Sequence, residues 1–332
     1  MKKVIELKKP VAITSWASVV GKKESEGPLR ELFDLYSKDD YFGMNSWEKA
    51  ETEMQKRAIN SMMEKRKLAQ GDICLALGGD LCNQITSSAY AFRDFDIPFT
   101  GLYGACSTMA LSMAMGACLV SGGMTDNALA LASSHFCTAE RQFRTPLDYG
   151  GKRSPTAQWT VTGCGCVFLE REGKGPFIKR VSFGTIEDLG IKDVNNMGAA
   201  MAPAAARTIK DFFSQTGQKP SDYDMIFTGD LGDTGSKLLK QILQIEGIEL
   251  NNHNDCGLII FDTEKQTVQS GASGCGCSAS VLASYILPKL SNKEFKKVLF
   301  VATGALMSPT TTMQKESIPS IAHLVEIVAE RE

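Results

Sequence analysis

Residues 105–133 read ACSTMALSMAMGACLVSGGMTDNALALAS, and residues 276–303 read GCSASVLASYILPKLSNKEFKKVLFVAT. In each, a Cys-Ser pair (Cys106-Ser107, Cys277-Ser278) opens a run of small apolar residues that leads on to an apolar, β-forming stretch. The segments before them correspond as well, since LALGGDL (75–81) returns as IFTGDLG (226–232). A repeat constrains a whole architecture where a single element does not. This one predicts two copies of one βα unit, residues 1–172 and 173–332, packed about a pseudo-twofold axis that brings the two Cys-Ser helix starts together.

Outward from the repeat, runs rich in β-formers alternate with helical patterns, which makes the chain a layered α/β protein. Strands are predicted at 74–79, 98–103, 128–133, 159–170, 223–229, 256–261 and 297–304. In SWEKAETEMQKRAINSMMEKRKL (46–68), Trp47, Ala50, Met54, Ala58 and Met62 recur at spacings of three and four, the stripe by which an amphipathic helix packs. Two polar segments, 133–158 and 304–323, lie outside the repeat and read as long functional loops.

Composition narrows the function classes. The 332 residues are 43% hydrophobic, enough for a large core, and the net charge of −2 comes with no basic block, which excludes a nucleic-acid footprint. The ten cysteines sit in apolar or glycine-rich runs rather than in a secreted disulfide framework, and MKKVIELKKP has no apolar stretch behind its charges. Reduced thiols and no secretory signal are expected. No charged residue occurs from Ile97 to Thr125, but Pro98 and five glycines break that run into a strand, a turn and a buried helix rather than a membrane span.

Cys106, at a helix start, stands where free backbone N–H groups and the helix dipole would lower a thiol pKa and hold an oxyanion. That makes it a candidate nucleophile. The chain has three histidines, His135, His253 and His323, and His135 follows the strand beside the Cys106 helix. Arg141, Arg144, Lys152 and Arg153 offer forks and charge for a small dianion. GDTGSK (232–237) has the wrong glycine spacing for a phosphate-binding loop, and the Cys-Gly-Cys pairs at 164–166 and 275–277 are tighter than zinc spacing. No metal and no cofactor are expected.

GACSTM with its small-residue helix, the duplicated halves, VTGCGCVFLE and GALMSP resemble ketoacyl synthases and thiolases. More closely, GDLCNQ, LYGACSTM, SSHFCTAERQFR, MAPAAA, DCGLII, GCGCSA, VATGALMSPT and IPSIAH resemble the stage V sporulation AD (SpoVAD) family. The resemblance implies a thiolase-like αβαβα fold and a homodimer. Condensing enzymes of that superfamily pair their Cys with a His and an Asn or with two His. Here Gly229 or Asp230 stands where the His is expected, and the Asn position falls near Cys275, so both partners are missing. What the resemblance then implies is not an enzyme but a binder of dipicolinate, alone or as its calcium chelate, in the uptake of that compound into the developing endospore. Cys106, His135, Arg141, Arg144, Asn83 and His323 would surround the ligand. The partners implied are the other SpoVA membrane proteins, with peripheral attachment at the spore inner membrane. The competing expectation is an active ketoacyl synthase or thiolase-type acyltransferase using Cys106.

Overall fold

Val4–Val20 forms a 17-residue strand, β1, the longest in the chain. Residues 3–143 and 153–331 are described by the structure, a computed structural model. Nine further strands share its sheet: β2 (Ala76–Asp80), β3 (Phe99–Gly101), β4 (Asn127–Ser134), β5 (Gly163–Glu170), β6 (Phe177–Ser182), β7 (Met225–Thr228), β8 (His253–Asp255), β9 (Lys297–Ala305) and β10 (Ser320–Val328). A short strand, Leu35–Tyr36, adds to the end of β1. The strand order is β8-β7-β9-β10-β6-β1-β5-β4-β2-β3, which reads alike from either end. Antiparallel β6 and β1 meet at the centre, with Val4 opposite Ser182.

Helices α1 (Trp47–Arg66), α2 (Thr108–Ser121), α3 (Phe136–Phe143), α4 (Met197–Thr216), α5 (Gly232–Ile245) and α6 (Cys275–Val281) complete the layers. α2 touches β1, β2, β4 and β5 on one side and β9 and β10 on the other, so the sheet wraps round it and its halves face each other. α1 covers the outer face of one half, and α4 packs on the other beside α5. The result is the αβαβα arrangement expected. Close approach at the centre requires missing side chains: a Cβ on Gly165 of β5 would lie 2.1 Å from the Ala279 carbonyl oxygen of α6.

α1 starts at Ser46, whose side chain accepts the Lys49 N–H, and ends at Lys67 in left-handed backbone. Ala50, Met54, Ala58 and Met62 are wholly buried, as their spacing predicts, but so are Glu51 and Gln55 on the same helix. The uncharged run from Ile97 becomes β3, a turn and α2, and no helix among the described residues is long and apolar enough to cross a membrane.

Four predictions of local structure fail, the first because 133–158 is not loop throughout: Phe136–Phe143 forms α3. CGLIIF is not a strand: Cys256–Ile259 is a helical turn, because the Asp255 carboxylate accepts the Gly257 N–H at 3.0 Å and caps it. The run 159–170 is two strands, since Trp159–Thr160 leaves the main sheet to pair with Ala272–Ser273. Finally, 304–323 is not loop throughout, because β10 begins at Ser320 and places His323 opposite Ala302.

Candidate functional site

Cys106 sits in a turn between β3 and α2, one residue before the helix cap Ser107. Ala105 has φ +50°, a left-handed conformation that costs a residue with a Cβ and recurs where geometry serves a site. Hydrogen bonds fix the turn. Ser107 Oγ donates to the Gly104 carbonyl at 2.6 Å, and Thr108 Oγ1 donates to that of Ala105 at 2.7 Å. Across the layer, Gly304 of β9 lies so close that a Cβ there would be 2.2 Å from the Gly104 oxygen.

The backbone donors expected to stabilise a thiolate are already engaged, because the Ser107 and Thr108 N–H groups bond the carbonyls of Gly104 and Ala105. Burial and then the neighbouring Asp230 carboxylate push the Cys106 thiol well above its ordinary pKa. The expected lowering is therefore reversed. Asp230 stands beside Cys106, and burial raises its own pKa to about 6 against the hydrogen bonds that favour its charge. Thr303 Oγ1 donates to Oδ1 at 2.9 Å, while the Gly274 N–H (2.9 Å) and Ser273 Oγ (3.3 Å) donate to Oδ2. The residues near the expected Asn thus hold the acid in place. Cys275 turns away, donating to the Ser133 carbonyl at 2.8 Å.

Cys106 opens on a cavity of about 30 Å³, room for a water molecule or two. Its walls are mostly apolar, including Leu81, Phe143, Met197, Ala305 and Met307, with Thr160 and Ser273 as polar members. Met307 also borders a wider cleft of about 340 Å³, whose lining mixes Asn83, Gln84, Tyr103, Gln142 and Ser308 with Ile85, Leu102 and Pro309.

Of the residues expected around a ligand, Cys106 lines the cavity and Asn83 the cleft, but the others described do not reach either. His135 uses both ring nitrogens elsewhere: Nε2 donates to the Asp40 carbonyl at 2.7 Å and Nδ1 accepts the Cys137 N–H at 3.2 Å, while burial lowers its pKa. His323 Nδ1 accepts the Gly184 N–H, the ring meets Phe183 edge-on, and burial lowers the pKa to about 4. Arg141 pairs with Glu48 and lies over Trp47, at the surface. Arg153 pairs with Glu140 at 2.7 Å and covers Trp159. Arg144 and Lys152 lie outside the described residues. The start of α5, where GDTGSK lies, is filled by the Asp255 carboxylate accepting the Leu231 and Gly232 N–H groups, each at 2.9 Å. Sequence reasoning placed Asp230 where a histidine would stand, but not as a partner of Cys106, nor did it find Thr303, Ser273 or Met307. Gly-Asp-Leu at the end of β7 was the signal available for the first.

The model of the family described as "Stage V sporulation protein AD (SpoVAD)" matches residues 1–328. The chain is 45% identical over 315 residues to "Stage V sporulation protein AD" of Bacillus subtilis (strain 168), which covers 95% of this chain and 93% of that protein. Among solved structures it resembles cerulenin-bound OleA of Xanthomonas campestris, with 13% identity, a TM-score of 0.61 and 97% of each chain covered. It also resembles 3-oxoacyl-[acyl-carrier-protein] synthase III of Aquifex aeolicus, with 10% identity, a TM-score of 0.54 and coverage of 96% and 99%. Likeness at these identities is one of fold, the thiolase-like fold.

Proposed function

The chain belongs to the stage V sporulation protein AD family, and from that premise we propose that it binds dipicolinate, alone or as its calcium chelate, for uptake into the developing endospore and does not condense acyl thioesters. The observation that carries the second part is the buried Asp230 carboxylate held beside Cys106 by Thr303, Ser273 and the Gly274 N–H. A condensing cysteine needs a base beside it and donors toward the enolate that decarboxylation creates. Here the neighbour is a carboxylate whose negative charge keeps the sulfur as a thiol, no histidine stands beside it, and the surrounding donors are spent on that carboxylate.

A flat diacid does not fit about 30 Å³, whereas the cleft across Met307 has room for it, with amide groups at Asn83, Gln84 and Gln142 for the carboxylates and Ile85, Leu102 and Pro309 for the ring. We place the ligand in that cleft, with Cys106 and Asp230 behind Met307. Membrane attachment through other SpoVA proteins and pairing as a homodimer follow from family membership and belong to the same proposal. Calorimetric titration with dipicolinate tests binding, and the absence of a saturable heat would overturn it. A second reading, residual acyl transfer, is favoured by the left-handed turn that presents Cys106 to an apolar cavity. Release of CoA from acetyl-CoA and malonyl-CoA, well above a Cys106→Ala control, would establish it.

A further inference from the structure

Three spaces meet at one side chain. Besides the Cys106 cavity and the cleft at Asn83, a hollow of about 250 Å³ is bounded by Lys192, Thr311, Thr312, Lys315, Ser317 and Ile318. Among the described residues Met307 alone borders all three, and no other residue is shared by any two of them. Met307 is therefore the wall between the Cys106 cavity and either of the larger spaces.

The chain around Met307 is loosely held. Residues 306–319 form a strap closed at its neck, where the Leu306 N–H donates to the Pro319 carbonyl at 2.7 Å. Between those ends only Met307 and Ile318 are buried, and residues 312–316 are all exposed. The strap is tied to the segment before α4 by the Ile318 N–H on the Ile191 carbonyl (2.7 Å), the Ser317 hydroxyl on Asp188 (2.6 Å) and the Lys192 ammonium on the Lys315 carbonyl (2.8 Å). Its short helix, Pro309–Met313, is capped from within by Ser308, so it can shift as one piece. Few buried apolar contacts make local opening cheap. A gate also needs space for its side chain, which a close-packed interior denies. Here the hollow under the strap adjoins Met307, whose unbranched thioether has three rotatable bonds with which to enter it.

We propose that Met307 is the gate that decides what reaches Cys106. With its side chain in place the thiol faces room for a water molecule or two. With the side chain turned into the hollow, the cavity runs on into the cleft at Asn83, and Cys106 and Asp230 come within reach of whatever sits there. A ligand in the cleft is thus held off the thiol until Met307 moves. The inference takes from the proposed function only the cleft as the ligand's seat. Its test uses no dipicolinate, so either can fail without the other.

The full chain is alkylated with iodoacetamide or with the bulkier N-ethylmaleimide, and each cysteine is followed by peptide mass spectrometry, its rate divided by that of the exposed Cys74. Met307→Ala should raise the N-ethylmaleimide rate at Cys106 at least tenfold and the iodoacetamide rate by less, while the buried Cys164 and Cys277 stay unchanged. Met307→Leu, similar in volume but branched and stiffer, should lower the N-ethylmaleimide rate at Cys106 at least threefold. An unchanged Cys106 rate in Met307→Ala, a rise shared with Cys164 and Cys277, or labelling of Met307→Leu as fast as the native chain overturns the proposal. If Met307→Ala does not fold, the comparison of Met307→Leu with the native chain decides.

Discussion

The Thr303 hydroxyl lies 2.9 Å from Asp230 Oδ1, tying the carboxylate that faces Cys106 to the middle of the sheet. Asp230 therefore cannot swing out to water when it ionises. Its pKa is about 6 in the folded chain against an ordinary 3.8, so the folded state holds more protons between those values and stability falls as pH rises through them. Asp230→Asn removes this cost, and its stability relative to the native chain should increase by about 3 kcal/mol between pH 3.5 and 7. Parallel denaturant titrations at the two pH values check it; a constant difference would show that Asp230 ionises freely.

The same substitution should expose the chemistry of the thiol. With the negative charge gone, Cys106 should react with iodoacetamide at pH 7.5 several times faster, followed peptide by peptide by mass spectrometry. An unchanged rate would assign its inertness to burial alone.

Arg141 is exposed and already paired with Glu48, and pairs of this kind contribute little. Arg141→Ala should thus alter dipicolinate affinity by less than about 0.5 kcal/mol, while Asn83→Ala in the cleft beside Met307 should weaken it by about 1 kcal/mol. Calorimetry on both variants separates the surface from the cleft. The reverse order of effects would move the ligand to α3.

Gly304→Ala should destabilise the chain by about 2–4 kcal/mol, because the new methyl group meets the Gly104 oxygen in the turn that carries Cys106. Chemical denaturation measures the loss. An added effect on Cys106 alkylation would show that the turn itself has moved.

The repeat made the architecture legible, since β4 and β9, with the helices before them, carry the same pattern twice. β1 and β10 were passed over for opposite reasons. β1 begins among lysines at its solvent end, and β10 follows Pro319, so that IPSIAH looked like loop before the apolar run to Val328 had been counted. Local pattern also misread CGLIIF, where a single side chain, Asp255, decides for helix. At the site, the missing histidine and asparagine could be read from the sequence, but the direction of His135 and His323 could not, because each is set by a carbonyl or N–H from a distant segment. Glu51 and Gln55 looked like the wet side of α1; only the seating of that helix over β1 and β5 shows them buried.

The final strand of the chain lies inside the sheet, between β9 and β6, rather than at an edge. During synthesis both of its neighbours emerge first. Until residues 320–328 leave the ribosome, the nascent protein carries an open slot flanked by two unpaired, apolar strand edges, a template for pairing with other chains. Chaperone dependence should accordingly persist until that strand has emerged, and removal of those nine residues should yield aggregates rather than a smaller folded protein.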